Sequence, residues 1–124
     1  RSTLFPYTTL FRSVKLGGTD CSGLMQWSYA QCGFSIPRTT HTQLDACNAV
    51  GHLHHDVSLL LPGDLVFVNE GGHVGMYLGN GRVIHAPHPG GVIMVSGLDR
   101  WPSIFAIGYP IANGPAARDE EVGE

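Results

Sequence analysis

Residues 71–87 read GGHVGMYLGNGRVIHAP. Gly79-Asn80-Gly81 at the centre is a strong hairpin signal, because the tight turns that join antiparallel strands need residues tolerant of positive φ. Short runs rich in Val, Ile, Met and Tyr on either side predict two strands, HVGMYLG (73–79) and RVIHA (82–86). Tight pairing about Asn80 makes residues whose numbers sum to about 160 face each other. His73 then opposes Pro87, and His85 opposes Gly75. The two imidazoles share a parity and hence a sheet face, about two strand positions or roughly 7 Å apart. One ring can act as a base while the other orients it. Taken without a nucleophile, the pair reads first as partly buried histidines satisfied by backbone groups.

The β-rich pattern continues on both sides of the hairpin. DLVFV (64–68) precedes it; GVIMVS (91–96) and IFAIGYP (104–110) follow, punctuated by Gly, Asn and Pro. Further upstream the period changes. CSGLMQWSYAQC (21–32) lacks proline and spaces Leu24, Trp27 and Ala30 as one helical face, with Asp20 as N-cap and Gly33 just past the end. TTHTQLDACNA (39–49) predicts a shorter helix capped by Thr39 or Thr40, and VGHLHHDVSLLLPG (50–63) a loop with one apolar knot at Leu59–Leu61. Helices first and an antiparallel meander afterwards define an α+β domain.

Cys21 opens the first helix, after Gly17, Gly18, Thr19 and Asp20. A free cysteine is commonly a small buried hydrophobe. At a helix N-terminus it is also set up as a nucleophile, because unsatisfied first-turn amides and the positive helix end favour the thiolate and can hold an oxyanion. The count of three, with Cys32 and Cys47, is odd; the spacing fits no C-x-x-C motif and permits a Cys32–Cys47 disulfide that leaves Cys21 free. His52, His54, His55 and Asp56 are metal-ligand types in a polar loop, where solvated histidines are the simpler reading, and His88 is a candidate rim residue.

The 124 residues suffice for one domain, and 43% hydrophobic with 14% charged residues describes a globular chain. The net charge of −3 matches that of the stretch after Ile111, so the body is formally neutral, which argues against a nucleic-acid binder. No apolar run reaches the length of a membrane span. RSTLFPYTTLFRS (1–13) nearly repeats itself and resembles translated sequencing-adapter sequence. It is expected to be a non-native leader before a truncated domain at 14–111, with a disordered acidic tail at 112–124.

TDCSGLMQW, IPRTTHTQ, LPGDLVF and GGHVGMYLGNGRVIHAP, in this order, resemble the successive motifs of the NlpC-type (NlpC/p60) cell-wall cysteine peptidases. The resemblance covers about Gly17 to Tyr109. It implies a papain-like α+β fold, a secreted or wall-associated monomer (or a phage lysin or virion protein), no cofactor, and hydrolysis of peptidoglycan stem peptides, often between D-glutamate and a diamino acid. Carried over by motif, Cys21 is the nucleophile, His73 the base and His85 its orienter. Asp20, Ser22, Arg38 and Gln43 are the implied substrate-binding residues: Asp20 and Ser22 line the groove, and Arg38 and Gln43 fall in the P-R-x-x-x-x-Q region, where Arg38 meets either a stem carboxylate or a structural partner. Family members carry a Tyr and a second aromatic where this chain has Val14 and Leu16, which implies reduced stability and activity. The rival readings are an amidase or acyltransferase on the same fold, a non-catalytic wall-binding relic and a histidine-rich metal module.

Overall fold

The computed structural model describes residues 20–87, 92–101 and 103–112. The proposed leader, Gly17, Gly18, Val14, Leu16, His88 and all of the expected tail but Ala112 lie outside them.

Two helices come first. α1 (Cys21–Gln31) begins where Asp20 caps it: Oδ1 accepts from the Gly23 amide at 2.7 Å. It ends at Cys32, and Gly33 leaves in the left-handed region at φ 87°. α2 (Thr40–Ala49) opens with a reciprocal cap, in which Thr39 Oγ1 accepts from the Thr42 amide and Thr42 Oγ1 from the Thr39 amide.

The strands are β1 (Leu53–His54), β2 (Leu65–Val68), β3 (His73–Gly79), β4 (Arg82–His85), β5 (Met94–Gly97) and β6 (Ile104–Gly108). They form one antiparallel sheet in the order β1-β6-β2-β3-β4-β5. The hairpin has the expected register: Met76 faces Ile84 and Tyr77 faces Val83, before a shift brings Gly79 opposite Arg82. β1 is a correction, since its residues fall in the segment expected to be a loop. Leu53 and His54 pair with Gly108 and Ile107, and Gly108 permits it because a Cβ there would overlap the His52 carbonyl. β5 also lies three residues later than expected at its start.

The helices cover one face of the sheet. Leu24, Met25 and Tyr29 of α1 and Cys47 of α2 pack with Leu65, Phe67, Val74, Met76 and Ile84. On the other face Val66, Val83 and Ile107 pack with Tyr77, Leu98, Trp101 and Ile104. β2 is therefore buried on both faces, and all four of its side chains are inaccessible. Tyr29 donates to the Gly63 carbonyl at 2.7 Å, and buried Asp64 accepts from the Leu61 amide, so the Leu-Pro-Gly-Asp turn is fixed from within. No disulfide joins Cys21, Cys32 and Cys47 among the described residues. Burial first, and then the nearby Asp64 charge, push the Cys47 thiol up to about 12.

Candidate active site

The N-terminus of α1 delivers Cys21 to the start of β3. Its thiol lies 3.6 Å from Thr40 Oγ1 at the start of α2, so the openings of both helices meet at the sulfur. Asp20 takes the Gly23 amide with its side chain and the Leu24 amide with its carbonyl. The Cys21 and Ser22 amides head the helix beside the thiol.

His73 reaches the site from the turn Val68–Gly72. Asn69 and Glu70 there hold φ of 54° and 55°, a left-handed pair unusual outside glycine, and Gly71 follows at 90°. The turn sets His73 opposite Val68. His73 Nε2 lies 3.0 Å from His85 Nδ1, which leaves His73 Nδ1 for the thiol. His85 Nε2 in turn lies 3.1 Å from Ser96 Oγ on β5. Ser96 pairs with Val83 and Met94 with His85, so this contact runs diagonally across the sheet face.

Electrostatics follow from these contacts. Burial pushes the Cys21 thiol up, but the His73 hydrogen bond, then Thr40, the Val74 amide and the His73 charge outweigh it and bring it down to about 7. His85 is only 9% exposed; burial, then the His73 charge, lower it to about 4, so it stays neutral across the range in which the thiolate forms. A carboxymethylation rate measured against pH should rise to a plateau with a midpoint near 7 in the wild type. His73→Ala should move that midpoint well upward, and an unmoved midpoint would detach His73 from the thiol.

Trp101 covers the histidine pair. Its ring centroid lies 5.5 Å from that of His73 and 4.8 Å from that of His85, the latter edge-on. Gly75 makes room for it: a Cβ there would stand 2.6 Å from the tryptophan ring and 2.7 Å from Val83. Gly75→Ala should therefore destabilise by about 1–3 kcal/mol and lower activity by displacing the ring. A variant that melts and turns over like the wild type would contradict this.

Asp20, Ser22 and Arg38 come together beside Cys21. Arg38 meets the Asp20 carboxylate with both terminal nitrogens, at 3.0 and 3.1 Å, and donates to Ser22 Oγ at 3.0 Å. The Arg38 hydrogen bond, against burial and with help from the Gly23 amide, holds the Asp20 carboxyl below its ordinary range. Ser22 and Gln43 lie inward of this exposed pair. Ser22 is nearly inaccessible, and Gln43 is wholly buried, its amide donating to the Ser22 and Pro37 carbonyls. Both brace the site from below.

Thr40, Gly75, Ser96 and Trp101 line the candidate site as well; Thr40 and Gly75 fall within quoted motifs without a role in the site assigned to them, and Ser96 and Trp101 fall outside them. His52 and His55 turn Nδ1 to the Ile111 and Phe105 carbonyls, and among the described residues no three metal-ligand side chains gather. Surface grooves at Trp27 and Phe34, and at Val57 and Leu98, are lined by none of the residues Cys21, His73 and His85.

Two helices packed on a six-stranded antiparallel sheet make a papain-like α+β domain. The pattern of the NlpC/P60 family matches residues 6–102, and the chain belongs to that family. It is 40% identical over 91 residues to "Probable endopeptidase Cgl2188" of Corynebacterium glutamicum, matching 73% of this chain and 41% of that protein. It is 40% identical over 79 residues to the "Bifunctional muramidase/DL-endopeptidase CwlT" of Bacillus subtilis, 59% of this chain and 22% of that one. The chain thus spans well under half the length of these curated relatives. Among solved structures, the peptidoglycan hydrolase RipB of Mycobacterium tuberculosis superposes with a TM-score of 0.67 at 25% identity, over 89% of this chain and 67% of that one. RipD of the same organism, described as a non-catalytic domain adapted to peptidoglycan binding, gives 0.59 at 26% over 74% and 67%. Among the described residues no helix is long and apolar enough to cross a membrane.

Proposed function

We propose that the chain is a cysteine peptidase that cleaves peptidoglycan stem peptides between D-glutamate and a diamino acid. The observation that carries this is the alignment of Cys21, His73 and His85, with the thiol brought down to about 7. The names of relatives supply the substrate class: one is a DL-endopeptidase and another a peptidoglycan hydrolase.

His73 Nδ1 takes the Cys21 proton, and the sulfur attacks the scissile carbonyl carbon. The Cys21 and Ser22 amides face the oxygen as it gains charge. The His73 imidazolium protonates the leaving amine, the C–N bond breaks, and a thioester remains. Water then attacks, gives its proton to His73, and the C–S bond breaks to return the thiol. Asp20 and Arg38 form the polar rim where a stem carboxylate or ammonium docks. Such a substrate places the protein outside the cell membrane, in the wall or in a phage virion.

An amidase or acyltransferase would use the same thiol on another acyl group, because a fold does not fix a substrate. RipD makes a binding domain the second reading. A purified muropeptide with a D-glutamyl–diamino acid bond tests the proposal against both: the proposal expects a new amine at the diamino acid, whereas a binder, or an enzyme for another acyl group, yields none. A chelator is expected to leave the rate unchanged, since the mechanism uses no metal; loss that one equivalent of zinc restores would overturn that.

A further inference from the structure

We infer that Ser96 is a positioning residue for the proposed thiol chemistry, acting as the acceptor that holds His85 in its Nε2–H form. This rests on the peptidase reading above. His85 is nearly inaccessible and touches two polar partners, His73 Nε2 at 3.0 Å and Ser96 Oγ at 3.1 Å. A neutral imidazole carries one N–H. Two arrangements of the chain are therefore available. In the first, His73 Nε2–H donates to His85 Nδ1, and His85 Nε2–H donates to Ser96 Oγ. In the second every proton is reversed: His85 Nδ1–H donates to His73 Nε2, and the serine hydroxyl donates to His85 Nε2.

Only the first arrangement serves the reaction. Once His73 has taken the thiol proton, both of its nitrogens carry hydrogen. His85 Nδ1 must then accept, so its single proton must sit on Nε2. That N–H belongs to a nearly inaccessible ring packed edge-on to Trp101, where an unpaired donor is costly, and Ser96 Oγ is its acceptor. Without the hydroxyl, the thiolate–imidazolium pair is formed at the expense of an unsatisfied buried N–H. The second arrangement, which puts the His73 proton on Nδ1 against the thiol, gains by comparison.

Thr and Val at position 96 have nearly the same shape and strand preference but differ in the hydroxyl. Ser96 is only partly buried, on an edge strand, so both should fold. Ser96→Thr is expected to keep wild-type carboxymethylation and turnover. Ser96→Val and Ser96→Ala should raise the carboxymethylation midpoint by about one pH unit and lower kcat by about tenfold with KM little changed. A Val variant that titrates and turns over like the Thr variant overturns the inference. A proton–nitrogen correlation spectrum of the wild-type imidazoles gives a reading independent of substrate and of turnover. His85 is expected as the Nε2–H tautomer, and an Nδ1–H tautomer also overturns the inference. A wild-type Cys21 that titrates like an ordinary cysteine defeats the peptidase reading instead, and the spectrum still decides the Ser96 contact.

Discussion

Cys21→Ala is expected to reduce muropeptide hydrolysis by about 10⁴-fold or more, while the circular dichroism spectrum and melting midpoint stay close to those of the wild type. The sulfur is only half-buried and packs at the edge of the core, so its loss leaves no large cavity. Neither remaining cysteine can replace it. Cys47 is wholly buried with its thiol pushed up to about 12, far from the reactive range. Cys32 sits at the other end of α1, and eleven helical residues span about 16 Å. Retained turnover in the Ala variant would remove Cys21 from the mechanism.

His73→Ala and His85→Gln should differ sharply. Without His73 no ring stands between the thiol and His85, and both proton transfers lose their carrier. The rate should fall nearly as far as in Cys21→Ala, because members of such a unit do not act additively. His85→Gln, or His85→Asn, keeps an amide oxygen that can accept from His73 Nε2–H. Its loss should be clearly smaller than that of His73→Ala, because the amide still orients the ring. The order of severity is the test, and a His85 variant deader than His73→Ala would mean that the two rings have been assigned the wrong roles.

The hairpin was the most legible part of the fold. Gly79-Asn80-Gly81 sets the turn, a turn sets register, and register puts His73 and His85 on one face. Asp20 as N-cap, Gly33 as terminator and Thr39 as the second cap were equally readable, because each rests on local backbone chemistry. What stayed hidden depends on non-local pairing. β5 follows β4 without a hairpin signal like Gly79-Asn80-Gly81, so sequence reading had no register from which to find the residue diagonal to His85. Ser96 and the Trp101 cover could not be found that way. β1 was missed for a similar reason, since a two-residue pairing beside Gly108 has no period of its own. The full burial of Gln43 was hidden too, because spacing puts it beside the site without saying whether it faces outward.

The most direct measurement is digestion of isolated peptidoglycan by the wild-type chain in ¹⁸O-enriched water, followed by mass spectrometry of the fragments. Hydrolysis through a thioester on Cys21 predicts a new D-glutamate carboxyl carrying one heavy oxygen and a new free amine on the diamino acid. Acid quenching should also trap the acylated Cys21 peptide. Intact stem peptides, from protein whose Cys21 still carboxymethylates with a midpoint near 7, would contradict the account and leave a wall-binding domain with a reactive thiol.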